Sequence, residues 1–148
     1  MAGIVCAVRG GPGSHPTINK ALALGAERGL PVYFLYVVNL DFLAHTSSKR
    51  LKTVKEEMSK LGEFILLKAQ KQADQRGVQT ESITREGKVR EEILRLCKEK
   101  QADFAVLGHQ SSDVENNVFS QQQFKQFIQR LERETGAQVV VTEEAPGE

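Results

Sequence analysis

A chain of 148 residues, 40% apolar and 26% charged, reads as one folded domain over residues 1–148, long enough to bury a core without disulfide or metal staples. Its formal net charge of +1 excludes bulk attraction to nucleic acid or to an anionic membrane. Cys6 and Cys97 stand apart in apolar stretches with no C-x-x-C pattern, which argues against a zinc ribbon or a thioredoxin-type site and for buried thiols in the reducing cytoplasm.

In chain order, Ile4 to Val8 is a short, nearly all-apolar run that suits a strand buried on both faces. The glycine-rich turn "RGGPGSH" follows, and nothing before it reads as a signal peptide. A helix is expected from about Pro16 to Arg28, with Ile18, Leu22, Gly25 and Ala26 on one face, Ser14 as its cap and Gly29 as its stop. Pro31 leads into "VYFLYVV", a second buried strand and the longest apolar run, far too short to span a bilayer. A long amphipathic helix runs from about Ser48 to Arg76, where Leu51, Val54, Met58, Leu61, Ile65 and Ala69 step at three and four. Val78 to Thr84 is more polar and alternates, as an edge strand does.

The third helix is "GKVREEILRLCKEKQ", with Val89, Ile93, Leu96 and Cys97 inward. Phe104 to Leu107 supplies a fourth strand, and "HQSSDVENNVFS" is polar and without a period. A fourth helix from about Gln121 to Glu134 carries Phe124, Phe127, Ile128 and Leu131, and "QVVVT" is a fifth strand before the tail "EEAPGE". Ser120 and Gln123 form an S-x-x-Q capping box at the start of that helix. The alternation predicts an α/β three-layer sandwich with a Rossmann-like, five-stranded parallel sheet. A 3-2-1-4-5 order places a crevice between the first and fourth strands, at their carboxyl ends, where such sheets bind ligands. Arg9-Gly10-Gly11 and Gly108-His109-Gln110 stand at those two ends.

"IVCAVRGG" followed by "ALALGAERGLPVYFLYVVN" resembles the opening of the universal stress protein family, and "REGKVREEILRLCKEKQADFAVLGHQ" resembles its second half more closely. The matching features are Gly87, Glu92-Ile93-Leu94, Ala102-Asp103 and the strand from Phe104 to Gly108. The resemblance implies an adenine nucleotide alpha hydrolase-like fold and a small binding or regulatory domain of the stress response. It also implies where a nucleotide such as ATP would lie: its base near Val38, its phosphates near Gly108 and Ser120. The family's nucleotide-binding members resemble one another in a glycine motif after the fourth strand. Here only its first glycine, Gly108, is present; Ser111 stands at the second position and Ser120-Gln121-Gln122-Gln123 opens the last helix. Arg9 replaces the acidic residue common after the first strand. The expectation is therefore that adenine nucleotide binds weakly or not at all, down to a pure interaction domain that assembles by its last strand and binds none. The alternative is a nucleotide sensor or weak ATPase working through an altered phosphate loop.

The residues keep several readings open. Gly10 and Gly11 present N–H groups to an anion or serve a tight turn. Arg9 holds an anion or pairs with a carboxylate such as Asp41. His109 contacts phosphate or ribose, or is a plain loop histidine. No catalytic constellation and no metal-ligand spacing is discernible, so neither an enzyme nor a metal protein is expected. The last strand, with Val139, Val140 and Val141, is expected at the sheet edge and to pair with its copy in a homodimer, as the last strands of many universal stress proteins do.

Overall fold

The computed structural model describes residues 3–9, 14–41, 47–110 and 118–144. Along them run β1 (Ile4–Ala7), α1 (His15–Arg28), β2 (Val32–Val38), α2 (Ser48–Gln75), β3 (Thr80–Glu86), α3 (Val89–Lys100), β4 (Phe104–Gln110), α4 (Val118–Thr135) and β5 (Gln138–Glu144). The five strands form one all-parallel sheet in the expected order β3-β2-β1-β4-β5.

The period of two along each strand splits the core into two layers. Ile4 and Cys6 of β1, Val32, Phe34, Tyr36 and Val38 of β2, and Phe104 and Val106 of β4 pack against α1 and α2. Val5, Leu35, Ala105 and Leu107 point the other way, against α3 and α4. This two-sided burial is why β1 and β2 are apolar throughout. Each fully buried aliphatic or aromatic side chain contributes about 1.5–3 kcal/mol, so these two strands anchor the sheet. α2 approaches β2 closely because Gly62 faces Tyr36: a Cβ on Gly62 would overlap the ring.

Several boundaries differ from the sequence reading. Val8 lies beyond β1, although its N–H still reaches the Leu35 carbonyl at 2.9 Å. Val78 is not yet β3; its N–H bonds to the Ala73 carbonyl at 3.0 Å and closes the end of α2. β4 and β5 both run further than their apolar cores, because Gly108, His109 and Gln110 pair with Thr142, Glu143 and Glu144. α4 begins at Val118, so Ser120 lies within its first turn and is not its cap. The capping-box reading of Ser120 and Gln123 is thereby corrected: three helical residues are in place by Ser120, and a cap precedes the first.

Candidate functional site

Strand order reverses between β1 and β4, and the place where such sheets bind ligands lies beyond their carboxyl ends. Arg9 stands exposed just past β1. Ser14 occupies the N-cap position of α1 but makes no side-chain cap bond. Its hydroxyl instead accepts from the Arg9 N–H at 3.3 Å and donates to the Arg9 carbonyl. That corrects the expected cap. Ser14, 3% exposed, staples the two ends of the glycine-rich turn, fixing where Arg9 leaves the strand. Pro16 sits in the first turn of α1, where a missing N–H costs nothing. Gly10 and Gly11 lie outside the described residues.

On the β5 side, Thr17 is fully buried and its Oγ1 lies 2.7 Å from Oγ1 of Thr142. Thr142 reaches on to the Leu107 carbonyl at 3.5 Å. The two hydroxyls tie the first turn of α1 to β4 and β5, so this flank of the crevice is closed by a satisfied polar link. The sequence reading missed this pair. Its signal was a threonine on the inward face of α1, one residue before Ile18, which demands a buried partner.

On the β2 side, Val38 is 2% exposed and its side chain belongs to the α1–α2 core layer. Its carbonyl accepts the Gly87 N–H at 3.0 Å. Gly87 has φ +152° and faces Glu92, whose Oε2 would lie 2.8 Å from an added Cβ. Glu92 is buried at the start of α3, 2.9 Å from Arg95 Nη1 and 3.9 Å from Arg85 Nη1. A glycine therefore lets the Glu92 carboxylate fold over the end of β3, which gives the quoted Gly87 and Glu92-Ile93-Leu94 pattern a packing role. Asn39 accepts the Asp41 N–H at 3.0 Å and turns the chain beyond β2.

The structure places Arg9 just past β1 and Gly108 within β4, two residues before its end at Gln110, on the two neighbouring strands between which strand order reverses, with Val38 at the end of β2 one strand further along. His109 lies on β4, paired with Glu143, and not on a loop as expected. Ser120 lies on α4. Val139, Val140 and Val141 lie on the edge strand β5. Burial pushes the Cys97 thiol up to about 12, which keeps it protonated and unreactive at neutral pH. Among the described residues no group of three or more His, Cys, Asp or Glu side chains could hold a metal, and no helix is long and apolar enough to cross a membrane. Two shallow clefts, one beside Arg28 and Phe104 and one beside Tyr33 and Asp74, lie at the amino ends of the strands, away from this crevice.

The family model described as the universal stress protein family matches residues 2–122. A search of curated protein sequences finds no match. Among solved structures, universal stress protein UspA from Lactobacillus plantarum superposes with a TM-score of 0.77 at 14% identity, covering 95% of this chain and 96% of that one. A universal stress protein family member from Burkholderia pseudomallei has a TM-score of 0.66 at 20% identity, covering 94% and 93%. The universal stress protein from Archaeoglobus fulgidus in complex with dAMP has a TM-score of 0.59 at 15% identity, covering 95% and 97%. At these identities the superpositions speak for the fold.

Proposed function

Because the chain belongs to the universal stress protein family, we propose that it is a cytoplasmic binding and regulatory domain, not an enzyme, whose crevice takes an adenine nucleotide weakly. The carrying observation is the reversal of strand order between β1 and β4, with exposed Arg9 just past the end of β1 and Gly108 two residues before the end of β4. The archaeal relative with dAMP has the same fold. Arg9 supplies a cation for phosphate, and the first turn of α1 carries no side-chain cap, so its N–H groups and dipole favour an anion. Binding is weak because Ser111 stands in the sequence where the family's nucleotide-binding members carry their second glycine, and no glycine opens α4.

Calorimetry with AMP and with ATP and magnesium tests this. The expected result is dissociation in the tens of micromolar or weaker, further weakened in Arg9→Ala. Submicromolar affinity, or affinity indifferent to Arg9, would overturn it.

The same reading includes a homodimer through β5, supported by the direction of its backbone groups. The Gln138 N–H donates to the Asp103 carbonyl at the start of β4, 2.9 Å away. Alternation then turns the groups of Val139, Val141 and Glu143 outward, and the Val139 N–H is indeed met by Glu132 from outside the ladder at 3.1 Å. Val140 packs against the α1–α2 layer, so the pairing surface is the backbone at Val139 and Val141 more than the Val140 side chain.

A further inference from the structure

α2 is a 28-residue helix that, among the described residues, packs one face on the sheet, with Met58 and Ile65 partly buried beside it. Gly62, Leu66, Ala69 and Ala73 are buried against the sheet. On the opposite side Leu61, Phe64 and Leu67 are 51%, 57% and 50% exposed. Three large apolar side chains half in water within two turns of one helix face are not needed for the fold, and a clustered apolar strip of this kind marks an interaction surface.

The strip has a symmetry that selects its occupant. Phe64 is its centre. Leu61 and Leu67 lie one turn to either side, and Glu57 and Lys71, both exposed, lie two turns to either side. Laid antiparallel on itself about a two-fold axis through Phe64, the helix sets Phe64 on its own copy and each leucine level with the other leucine of the second copy. It also sets Glu57 level with Lys71 of the second copy, twice over. Lys60 and Lys68 flank the strip on opposite sides, so the two-fold does not bring lysine against lysine. Lys68 lies with its Nζ 5.2 Å from the Phe64 ring centre, so its stem already covers part of the strip. An anionic lipid surface would instead favour a face of uniform positive charge, and Glu57 and Glu63 interrupt this one.

We propose that the outer face of α2, centred on Phe64 and bounded by Glu57 and Lys71, is a self-complementary docking surface for the α2 of a second copy of this chain. It is separate from the β5 edge, so the two contacts together would build assemblies larger than a dimer. The patch is small, which makes the α2 contact a weak one taken alone.

Sedimentation equilibrium up to millimolar protein tests this on wild type, Val141→Pro, Phe64→Glu and the two combined. Val141→Pro removes an outward N–H of β5 and leaves the α2 strip untouched. Val141→Pro is expected still to self-associate weakly, and Phe64→Glu to weaken that association at least tenfold. In the Val141→Pro background, Glu57→Lys should weaken it by about tenfold, and Glu57→Lys with Lys71→Glu should restore it to within about twofold. Circular dichroism confirms that each variant is folded; should Val141→Pro fail to fold, the charge swap is read in the wild-type chain from species beyond the dimer. If Phe64→Glu associates like its parent, or the double swap fails to restore, the α2 proposal is overturned. If Val141→Pro self-associates as strongly as wild type and Phe64→Glu still weakens that association, the β5 reading fails and the α2 proposal stands; if neither chain self-associates, the α2 proposal is overturned. Phe64-dependent binding to phosphatidylserine vesicles without self-association would also overturn it, in favour of a lipid surface.

Discussion

The two edges of the sheet are protected in different ways. On β3 the charges do the work: Glu81 pairs with Lys100 at 3.3 Å, Arg85 with Glu99 at 2.5 Å, and Glu86 with Lys55 at 2.7 Å. A strand added there would meet charged side chains near both ends of β3, each already held by a neighbouring helix. β5 presents Val139, Val140 and Val141, and the edge bond described on it is the Glu132 carboxylate on the Val139 N–H. A carboxylate on one N–H can swing away, whereas the charged side chains beside β3 are held in place by ion pairs to two helices. Among the described contacts edge protection is therefore asymmetric: ion pairs to the helices beside β3, and a carboxylate on the Val139 N–H of β5.

The largest expected effect breaks the comparison from beneath. Leu131 is 0% exposed and belongs to the layer that receives Val139. Leu131→Ala should lower stability by about 2–5 kcal/mol through lost burial and an unfilled cavity. Ile83, only partly buried under β3, should cost about half as much when cut to alanine. Chemical denaturation of both variants checks the ratio. Equal losses would mean that both edge strands are anchored alike.

The next effect is on association more than on stability. Val141→Pro deletes an N–H that the β4 ladder does not use, and proline is tolerated at that side of an edge strand. Light scattering should show the β5 dimer lost, with the melting temperature little changed. A wild type that is already monomeric through β5, or a variant that still pairs there, would remove β5 from the assembly and leave its apolar run as core packing alone.

Most of the fold was legible because burial on both faces writes itself as apolar runs. "VYFLYVV" matches β2 residue for residue, and glycines closed α1 and α2 where helical periodicity stopped. The strand ends were not legible. His109, Gln110, Glu143 and Glu144 are polar, and their pairing is made by backbone groups that leave no trace in side-chain pattern. Ser120 misled because a capping-box sequence carries its meaning only at a helix start, and Val118 had already begun α4. At the site, Arg9 and Gly108 were placed by topology alone. The Ser14 staple and the Thr17–Thr142 link were missed for one reason: each is a polar side chain at the start of α1 satisfied by a residue outside that helix.

The smallest expected effect sharpens the comparison through pH. The hydrogen bond from Arg85, followed by the charges of Arg85, Lys100 and Arg95, holds the Glu99 carboxyl below its ordinary value of 4.5. Hydrogen bonds from Arg130 and then Lys98 hold Glu134 low in the same way. A carboxylate whose pKa is depressed by folding stabilises the native state fully above its unfolded pKa, and that contribution is lost as pH falls through the lower, folded value. Both contributions should therefore be whole at neutral pH and fade only below about pH 4.5. Glu99 is exposed and its pair is screened, so the effect on melting temperature is small and shrinks in high salt. Glu99→Gln removes the clamp on β3 at every pH, so the gap between wild type and variant should be present at pH 7 and close as the solution is acidified. Glu134→Gln should show the same closing gap, although its partners join α3 to α4 and hold no strand edge. The two differ in association: only Glu99→Gln loosens a guard on β3, so only it should increase concentration-dependent aggregation at neutral pH. Melting curves from pH 7 to pH 3, with light scattering on the same samples, check both statements. A gap that widens toward acid would reverse the sign derived from the Arg85–Glu99 pair, and equal aggregation in the two variants would show that ion pairs are not what keeps β3 unpaired.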